Sequence, residues 1–230
     1  MINIIDIYKI FSNSYKDLDW WPVDKKYHKK NKTDPRFEII IGAILTQNTA
    51  WSNVEKALEN LKEKNRLDIK SVIKTDENEL KEMIKPSGFF NQKAGRLKEV
   101  SYYLAEKYNC NLDNLFKKNL KELREELLSL NGIGAETADS ILLYAAEKPI
   151  FVVDAYTKRL CKRIPINVNI DYDSIQKHFQ NELSKEYSGQ DLVKTYNNFH
   201  AQIVIHAKEH CKKKPNCKNC PVSKNCKKLL

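Results

Sequence analysis

The chain has 230 residues, of which 41% are hydrophobic and 30% are charged, so it is long enough for one large domain or two small ones with an apolar core. No segment approaches the roughly 18 uninterrupted apolar residues of a membrane span, and the few Gly (6) and Pro (7) residues exclude a collagen-like or turn-rich all-β chain. The 40 Lys and Arg residues outnumber the 30 Asp and Glu residues, so the net charge of +10 indicates either a polyanionic partner or a Lys-rich source proteome.

Apolar residues recur every three or four positions over most of the chain, which predicts helices. The predicted helices cover residues 3–14, 36–47, 52–64, 76–85, 92–108, 120–130, 138–145, 173–184 and 192–207. Clusters of Asn, Asp and Pro separate them. Only Ile166, Val168 and Ile170 alternate as in a strand, and a single strand would have no obvious pairing partner. The sequence therefore predicts an all-α fold.

The basic residues are concentrated in two clusters. The first cluster holds six basic residues and one acid within residues 25–36. The second holds seven Lys and no acid within residues 211–230. The two clusters could be solvated loops, or they could be two ends of one groove that follows phosphates.

Four of the six cysteines lie close together, in the pattern Cys211-x5-Cys217-x2-Cys220-x5-Cys226. Such dense cysteines in a chain expected in the cytoplasm indicate a metal centre rather than disulfides. Four thiolates suit either a [4Fe–4S] cluster or structural zinc. Zinc ribbons usually have two separated CxxC pairs whereas this segment has one, so we favour the [4Fe–4S] cluster and keep Zn²⁺ as the alternative.

Residues 130–139 read Leu-Asn-Gly-Ile-Gly-Ala-Glu-Thr-Ala-Asp and follow a leucine-rich helix. We expect Gly132 and Gly134 to provide turns with positive φ, and Ile133 to be buried between them. The next helix then starts near Ala135 and leaves backbone N–H groups that can bind a phosphate oxygen. A plain helical hairpin would give the same pattern.

Asp154 follows the apolar run 150–153 and precedes another helix. Taken alone, this position is typical of an ordinary helix N-cap. The functional alternative is a carboxylate that an apolar wall places at a cleft.

Together, the hairpin, Val152-Val153-Asp154 and the four-cysteine segment resemble the endonuclease III (helix-hairpin-helix-GPD) superfamily of DNA glycosylases in order and spacing. The resemblance covers most of the chain, from about Phe37 to Cys226. Residues 44–49 resemble an early loop of the family in which the Gln, here Gln47, enters the duplex. Residues 88–94 resemble the start of a family helix.

The resemblance implies two lobes with DNA across the cleft between them. A helical barrel would span residues 37–148, and residues 1–36 plus 149–230 would form a second lobe with the cluster. The implied DNA contacts are Gln47, Asn131, Gly132, Ile133 and Gly134.

The sequence departs from the bifunctional members of the family at one position. Those enzymes carry a Lys two residues after the second hairpin Gly, and its amine forms a Schiff base with the sugar. This chain has Glu136 there, and a carboxylate cannot form an imine. Asp154 is then expected to stabilise the oxocarbenium-like sugar and to orient or deprotonate a water, and Glu136 could also orient water. The first arm of the cysteine pattern is also one residue shorter than usual in the family.

Several segments resemble the 3-methyladenine DNA glycosylase III branch, which removes alkylated purines without cutting the strand. They are Gly-Ile-Gly-Ala-Glu-Thr, Val-Val-Asp-Ala-Tyr-Thr, Leu-Thr-Gln-Asn-Thr-Ala-Trp and Trp-Trp-Pro. The resemblance implies a base pocket with Trp20, Trp21 and Trp51 as aromatic walls and Lys208 nearby, because electron-rich rings attract cationic bases. The same tryptophans could instead serve packing.

The favoured hypothesis is therefore a monofunctional glycosylase that excises alkylated purines from double-stranded DNA as a monomer. Two enzymes remain as alternatives: an endonuclease III-like glycosylase/AP lyase and a mismatch adenine glycosylase. A third alternative is a non-catalytic DNA-binding or redox-sensing iron–sulfur protein. The first apolar run contains Asp6 and no small-residue cleavage site follows it, so we expect a cytoplasmic, nucleoid-associated protein without a signal peptide.

Overall fold

The computed structural model describes residues 2–18 and 20–227, and every regular element in these ranges is helical. The helices are α1 (Ile4–Tyr15), α2 (Lys25–Asn31), α3 (Pro35–Leu45), α4 (Trp51–Glu63), α5 (Ile69–Lys74), α6 (Glu77–Ile84), α7 (Phe90–Tyr108), α8 (Leu112–Phe116), α9 (Leu120–Leu128), α10 (Ala135–Ser140), α11 (Ala155–Arg163), α12 (Tyr172–Leu183) and α13 (Gly189–Glu209). A π-helical segment, Ile141–Ala145, continues α10. The predicted all-α fold is confirmed, and no described helix is long and apolar enough to cross a membrane.

Most helices begin at an Asn or Asp whose side chain accepts a hydrogen bond from a backbone N–H of the first turn. These caps are Asn3, Asp24, Asp34, Asp68, Asp76, Asn111, Asn119, Asp154 and Asp171. A cap of this kind stabilises a helix by about 1 kcal/mol. The caps explain why Asn and Asp clusters mark the helix boundaries in the sequence.

The alternation at Ile166, Val168 and Ile170 does not form a strand. These residues lie in the connection between α11 and α12, outside any helix. The backbone N–H of Ile166 donates to the Ile164 carbonyl at 2.7 Å, and that of Val168 donates to the Ile166 carbonyl at 3.0 Å. These backbone N–H groups are thus hydrogen-bonded within the connection, in tight local turns, and do not pair with a strand.

The described residues group into two compact units. The terminal unit comprises the residues up to Trp20 and from Glu147 onward, and it contains α1 and α11–α13. Its core is aromatic, with ring centroids 4.7 Å apart for Phe151 and Phe179 and 5.7 Å apart for Phe179 and Phe199. Helix α13 packs against both α1 and α11, so it supports the helix that begins after Asp154.

The middle unit, Trp21–Ala146, contains α2–α10, and α7 packs against α3, α5 and α6. Lys93 on α7 is only 1% exposed, and its Nζ donates to the carbonyl oxygens of Leu45 at 2.7 Å and Ser87 at 2.8 Å. Burial, together with the charge of Arg96, lowers the pKa of Lys93 to about 8. Lys93 therefore fixes the end of α3, just before Gln47, against the turn that precedes α7.

The boundary between the units differs from the expected one. We expected residues 1–36 to belong with 149–230, but residues 21–36 group with the middle unit. The reason is the buried carboxylate of Glu38, which lies 2.8 Å from His28 Nε2 and accepts the backbone N–H of Asp24 at 3.0 Å. These contacts hold α2 to α3. Residues 1, 19 and 228–230 of the expected second lobe lie outside the described residues.

Candidate nucleic-acid interface and active site

Helices α9 and α10 form the helical hairpin, and its turn is built around Gly132. Gly132 has a φ of +76° and Ile133 is 5% exposed, as expected. The positive φ predicted for Gly134 is wrong, because its φ of −90° and ψ of 177° are the extended values typical of an N-cap residue. No side chain caps α10, and the space around the Gly134 Cα is open. The first N–H groups of this helix can therefore face an anion.

A bidentate ion pair joins the two helices of the hairpin. Arg124 on α9 donates from Nε to Asp139 Oδ1 at 2.7 Å and from Nη2 to Oδ2 at 3.2 Å. Asp139 on α10 is fully buried. Planar bidentate pairs fix orientation as well as distance, so this pair sets the angle at which the turn is presented.

Gln47 lies in the turn after α3, and its side-chain amide is bonded at both ends. Nε2 donates to the carbonyl oxygen of Gly132 at 2.9 Å and to Thr137 Oγ1 at 3.0 Å. Oε1 accepts from Arg96 Nη1 at 2.6 Å. Gln47 is thus joined both to the hairpin and to α7.

Asn131 and Glu136 lie on either side of the two hairpin glycines, and both are exposed. Asn131 Nδ2 donates to Glu99 Oε2 on α7 at 3.2 Å. Glu136 lies in the first turn of α10, where the positive end of the helix favours a carboxylate. The position at which a lyase needs an amine therefore carries an accessible negative charge.

Asp154 is the N-cap of α11 in the terminal unit, and each of its carboxylate oxygens faces a different partner. Oδ1 accepts from the Thr157 backbone N–H at 2.7 Å and from Thr157 Oγ1 at 2.9 Å. Oδ2 lies 3.7 Å from His200 Nε2 on α13, and the two side chains are 13% and 9% exposed. Burial raises the pKa of Asp154, but His200 and the Thr157 hydrogen bonds outweigh it, so the pKa is lowered. The carboxylate is therefore ionised at neutral pH.

Two of the three tryptophans expected at a base pocket meet in the middle unit. The ring centroids of Trp21 and Trp51 are 5.1 Å apart and their planes are nearly perpendicular. Tyr144, in the π-helical segment, packs on Trp21 at 5.3 Å. A Cβ at Gly42 would lie 2.9 Å from Trp21 Cζ2, so this indole lies directly on α3. Both tryptophans are partly exposed, and they form one aromatic cluster that also contributes to packing.

The other two expected pocket residues, Trp20 and Lys208, belong to the terminal unit. Trp20 is partly exposed, and Lys208 is exposed near the end of α13. A further amine, Lys158 on α11, places its Nζ 5.8 Å from the centroid of the Tyr172 ring.

The four cysteines of the C-terminal segment line one cavity. Burial first, and then the neighbouring thiols, raise the pKa of Cys220, so the four sulfurs are close enough to interact. No three His, Cys, Asp or Glu side chains among the described residues converge on a point that would hold a single metal ion. A cubane does not require such convergence, because a different cysteine binds each of its irons.

Helix α11 also holds the start of the cysteine segment. Arg163 Nη1 donates to Cys211 Sγ at 3.0 Å and to the Lys212 carbonyl at 2.7 Å, and its Nη2 donates to the Lys213 carbonyl at 3.1 Å. Arg159 Nε donates to the Cys211 carbonyl at 2.7 Å. The arginines thus bind the backbone of this segment, and the side chains of Lys212, Lys213 and the following Lys214 are exposed.

The first basic cluster lies in α2 and at the start of α3. All five of its lysines are exposed. Arg36, by contrast, pairs with Asp34 at 2.5 Å and with Asp113 at 2.8 Å, so its charge is compensated. Lys228, one of the seven lysines of the second cluster, lies outside the described residues.

Sequence reasoning did not single out Arg96 or Thr137, because their roles appear only in contacts between distant segments. It also gave no reason to distinguish Phe89 from Phe90. In the structure Phe90 begins α7, whereas Phe89 is 61% exposed and has a φ of +48°. A bulky residue in left-handed backbone is uncommon and often marks a functional site.

A family model described as the HhH-GPD superfamily of base excision DNA repair proteins matches residues 41–185. The matched span contains Gln47, the hairpin and Asp154. Among curated relatives, a protein of Methanocaldococcus jannaschii whose assignment as a DNA repair glycosylase is provisional is 45% identical over 213 residues, which are 91% of this chain and 89% of its own length. Endonuclease III of Thermotoga maritima is 33% identical over 140 residues, which are 61% of this chain and 62% of its own length.

Two solved structures extend the comparison to nearly the whole chain. The H. pylori 3-methyladenine DNA glycosylase bound to 1,N6-ethenoadenine has a TM-score of 0.69 and 30% identity, and the match covers 90% of this chain and 98% of that one. A trapped endonuclease III–DNA covalent intermediate has a TM-score of 0.75 and 23% identity, and the match covers 99% of this chain and 97% of that one. At this low identity, the second match shows the shared fold.

Proposed function

Since the chain belongs to the HhH-GPD superfamily of base excision DNA repair proteins and is a DNA glycosylase, we propose that it hydrolyses the N-glycosidic bond of alkylated purines and leaves the DNA strand intact. It acts as a monomer on double-stranded DNA that contains a damaged base. The damaged nucleotide is extruded from the duplex, at a cost of a few kcal/mol that damage lowers. Because the protein is a glycosylase, the alternative of a non-catalytic DNA-binding protein is set aside.

The observation that carries the monofunctional proposal is the exposed carboxylate of Glu136 in the first turn of α10. A lyase of this family needs an amine at that position to form an imine with C1′ of the sugar. A carboxylate cannot form that bond, so water is the nucleophile in our proposal. The product is an abasic site in an uncut strand.

Asp154 supplies the charge that this hydrolysis needs. Its lowered pKa keeps it ionised, so it can stabilise the positive charge that develops on the sugar as the base leaves. Thr157 fixes one oxygen, which leaves Oδ2, beside His200, to orient or deprotonate water. The carboxylate thus both caps a helix and serves the reaction.

The hairpin and Phe89 supply contacts to DNA in this proposal. The N–H groups of the first turn of α10, which no side chain caps, bind a phosphate, and such contacts set the register of the protein on the duplex. Phe89 presents an exposed ring at the start of α7, and exposed aromatic rings of this kind stack on or between bases.

Alkylated purines are the proposed substrate class. Support comes from the likeness to a 3-methyladenine DNA glycosylase over nearly the whole chain, and from the partly exposed cluster of Trp21 and Trp51. Electron-rich rings attract a cationic methylated base by about 0.5–2 kcal/mol each. Such a base is also a better leaving group than an ordinary purine, so moderate catalysis is sufficient.

We further propose that Cys211, Cys217, Cys220 and Cys226 hold a [4Fe–4S] cluster. The four cysteines line one cavity, and Arg163 Nη1 donates to Cys211 Sγ at 3.0 Å. When bound, such a cluster would cross-link the C-terminal segment and supply a one-electron redox couple. Arg159 and Arg163 hold the same segment through its backbone carbonyls.

Metal and sulfide analysis of protein purified anaerobically tests the cluster. We expect brown protein with about four iron and four sulfide per chain. Colourless protein that contains one zinc per chain would support the zinc alternative instead.

A panel of damaged duplexes tests the substrate. The panel contains 3-methyladenine, 7-methylguanine, thymine glycol, uracil and a mismatched adenine, each in the same sequence, and every sample is divided between hot alkali and no treatment. We expect strand breaks only after alkali, and most of them in the alkylated duplexes. Preferential release of thymine glycol would contradict the proposed substrate.

A further inference from the structure

Arg96, Gln47 and the hairpin form one hydrogen-bonded group within the middle unit. A primary amide offers two N–H donors and one carbonyl acceptor. Gln47 uses both donors on the hairpin, on Gly132 and Thr137, and its carbonyl accepts from Arg96. The amide can make all three contacts in only one orientation.

Arg96 also packs directly against the turn of the hairpin. A Cβ at Gly132 would lie 2.1 Å from Arg96 Nε and 2.5 Å from Arg96 Cδ, so any other residue here would displace Arg96 from this position. Gly132 has positive φ as well, and glycine meets both requirements. Arg96 therefore contacts the hairpin turn directly. It also holds Gln47, which is itself hydrogen-bonded to that turn.

The contact from Arg96 to Gln47 is the charged member of this group. A hydrogen bond from a guanidinium is stronger than one between neutral groups. Without it, the Gln47 carbonyl loses its partner, and the amide can rotate away from Gly132 and Thr137. Gln47 would then move independently of the hairpin.

We propose that Arg96 is a positioning residue that makes Gln47 and the hairpin act on DNA as one unit. The inference rests on the proposed function, in which the hairpin contacts the duplex, and on the expectation that Gln47 enters the duplex at the damaged nucleotide. Gln47 then reaches the duplex in an orientation that the phosphate-binding turn sets, rather than as a freely rotating side chain. Arg96 itself does not need to touch DNA.

A double-mutant cycle tests this coupling. Arg96→Ala, Gln47→Ala and the double variant are compared for binding to a duplex with a tetrahydrofuran abasic analogue, and for single-turnover excision. We expect each single variant to show about tenfold lower affinity and about tenfold slower excision. The double variant should be no more impaired than the more impaired single variant. Losses that multiply to about a hundredfold, or an Arg96→Ala protein equal to wild type, would overturn the proposal.

Three further measurements separate positioning from other roles. Glu106→Ala, an exposed position on the same helix, should bind and excise like wild type. Arg96→Lys keeps a donor for the Gln47 carbonyl and should recover most of the lost binding. The salt dependence of Arg96→Ala binding should match wild type, because a lost phosphate contact would instead reduce the log–log slope by about 0.9 and contradict the proposal.

The binding cycle also separates this inference from the proposed function. If the wild-type protein releases no alkylated purine, the proposed substrate is wrong, yet coupling in the binding cycle would still support the role of Arg96. If the wild-type protein excises normally and the cycle is additive, the proposed function stands and the role of Arg96 is wrong.

Discussion

At the scale of single residues, we propose two roles for the Asp154 carboxylate, as a helix cap and as a catalytic group. Oδ1 caps α11 through Thr157, and Oδ2 faces His200 at 3.7 Å. The cap determines where the second oxygen lies, and His200 helps to keep it ionised despite burial. In our proposal, a structural cap and a reactive carboxylate are the same group.

Asp154→Asn separates these roles. The amide caps a helix about as well as the carboxylate, so the free energy of unfolding should change by less than about 1 kcal/mol. Loss of the charge should reduce single-turnover excision by about 100-fold or more, because Asp154 is the group that offsets the developing cation in our proposal. Binding to damaged duplex should remain near that of wild type. The measurements are chemical denaturation, gel-based excision and fluorescence anisotropy.

Asp171→Asn is the matched control, because Asp171 caps α12 in the same unit by accepting the Ser174 N–H at 2.8 Å. It should excise like wild type. Full excision by folded Asp154→Asn protein would reduce Asp154 to a helix cap.

The residues of the candidate site could be proposed from the sequence, but their contacts could not. The glycine turn, Asp154 and the four cysteines each have a local pattern that the chain order makes specific. Gln47 could be proposed as a DNA contact, but its bonds to Gly132 and Arg96 join segments 85 and 49 residues away. No local pattern encodes such contacts. The backbone of Gly134 was mispredicted because an N-cap residue uses extended φ and ψ.

At the scale of helices, Glu126 joins α7 to α9 and the segment before α9. Its carboxylate accepts from the hydroxyl groups of Tyr103 and Tyr108 on α7 and pairs with Lys118 and Lys107. Burial raises the pKa of Glu126, but these partners outweigh burial and lower it to about 2. The group braces the helix that leads into the hairpin.

Glu126→Gln should therefore destabilise the protein in a pH-dependent way. The folded pKa of about 2 lies below the ordinary value of 4.5, so the stabilisation is complete above about pH 4.5 and is lost as the pH falls towards 2. We expect a loss of about 1–3 kcal/mol at pH 7 and a much smaller difference near pH 2.5. Urea denaturation at the two pH values gives the free energies.

The neighbouring variant Glu125→Gln provides the control, since Glu125 is 67% exposed and pairs only loosely with Lys121 at 4.0 Å. It should change stability little at either pH. A Glu126→Gln effect that does not depend on pH would mean that the carboxylate charge is not what stabilises this group.

Long helices were predictable and short ones were not. The period of apolar residues predicts a helix over 92–108, and the structure has α7 at Phe90–Tyr108. Helices α2, α5 and α8 have only seven, six and five residues, too few to show a period. The boundary between the two units also differs from the predicted one. The buried hydrogen bond between His28 and Glu38, which attaches α2 to α3, cannot be predicted from the spacing of residues in the sequence.

At the scale of the whole molecule, part of the excess positive charge lies on exposed lysines of the cysteine segment, whose backbone other residues hold in place. Arginines of α11 hold the backbone at the start of the cysteine segment, and Lys212, Lys213 and Lys214 remain exposed. Exposed lysines on a fixed backbone are suited to phosphate contacts, whereas the charge of Arg36 is already compensated.

Replacing Lys212, Lys213 and Lys214 with Ala should weaken DNA binding and reduce its salt dependence. Each lost phosphate contact should reduce the slope of log K against log salt by about 0.9. The control is a second triple variant with the same change of charge, made at the exposed lysines Lys177, Lys185 and Lys194. Equal slopes in the two triple variants would mean that residues 212–214 form a solvated loop away from DNA.

The central claim is that this glycosylase hydrolyses the glycosidic bond and does not cut the strand. The most direct test incubates the protein with an end-labelled duplex that contains an alkylated purine, with and without borohydride, and analyses the products before and after hot alkali. We predict base release, an uncut strand before alkali and no covalent protein–DNA adduct, because Glu136 replaces the amine that an imine needs. A borohydride-trapped adduct, formed through an amine such as Lys158 or Lys208, or strand breaks without alkali, would contradict the claim.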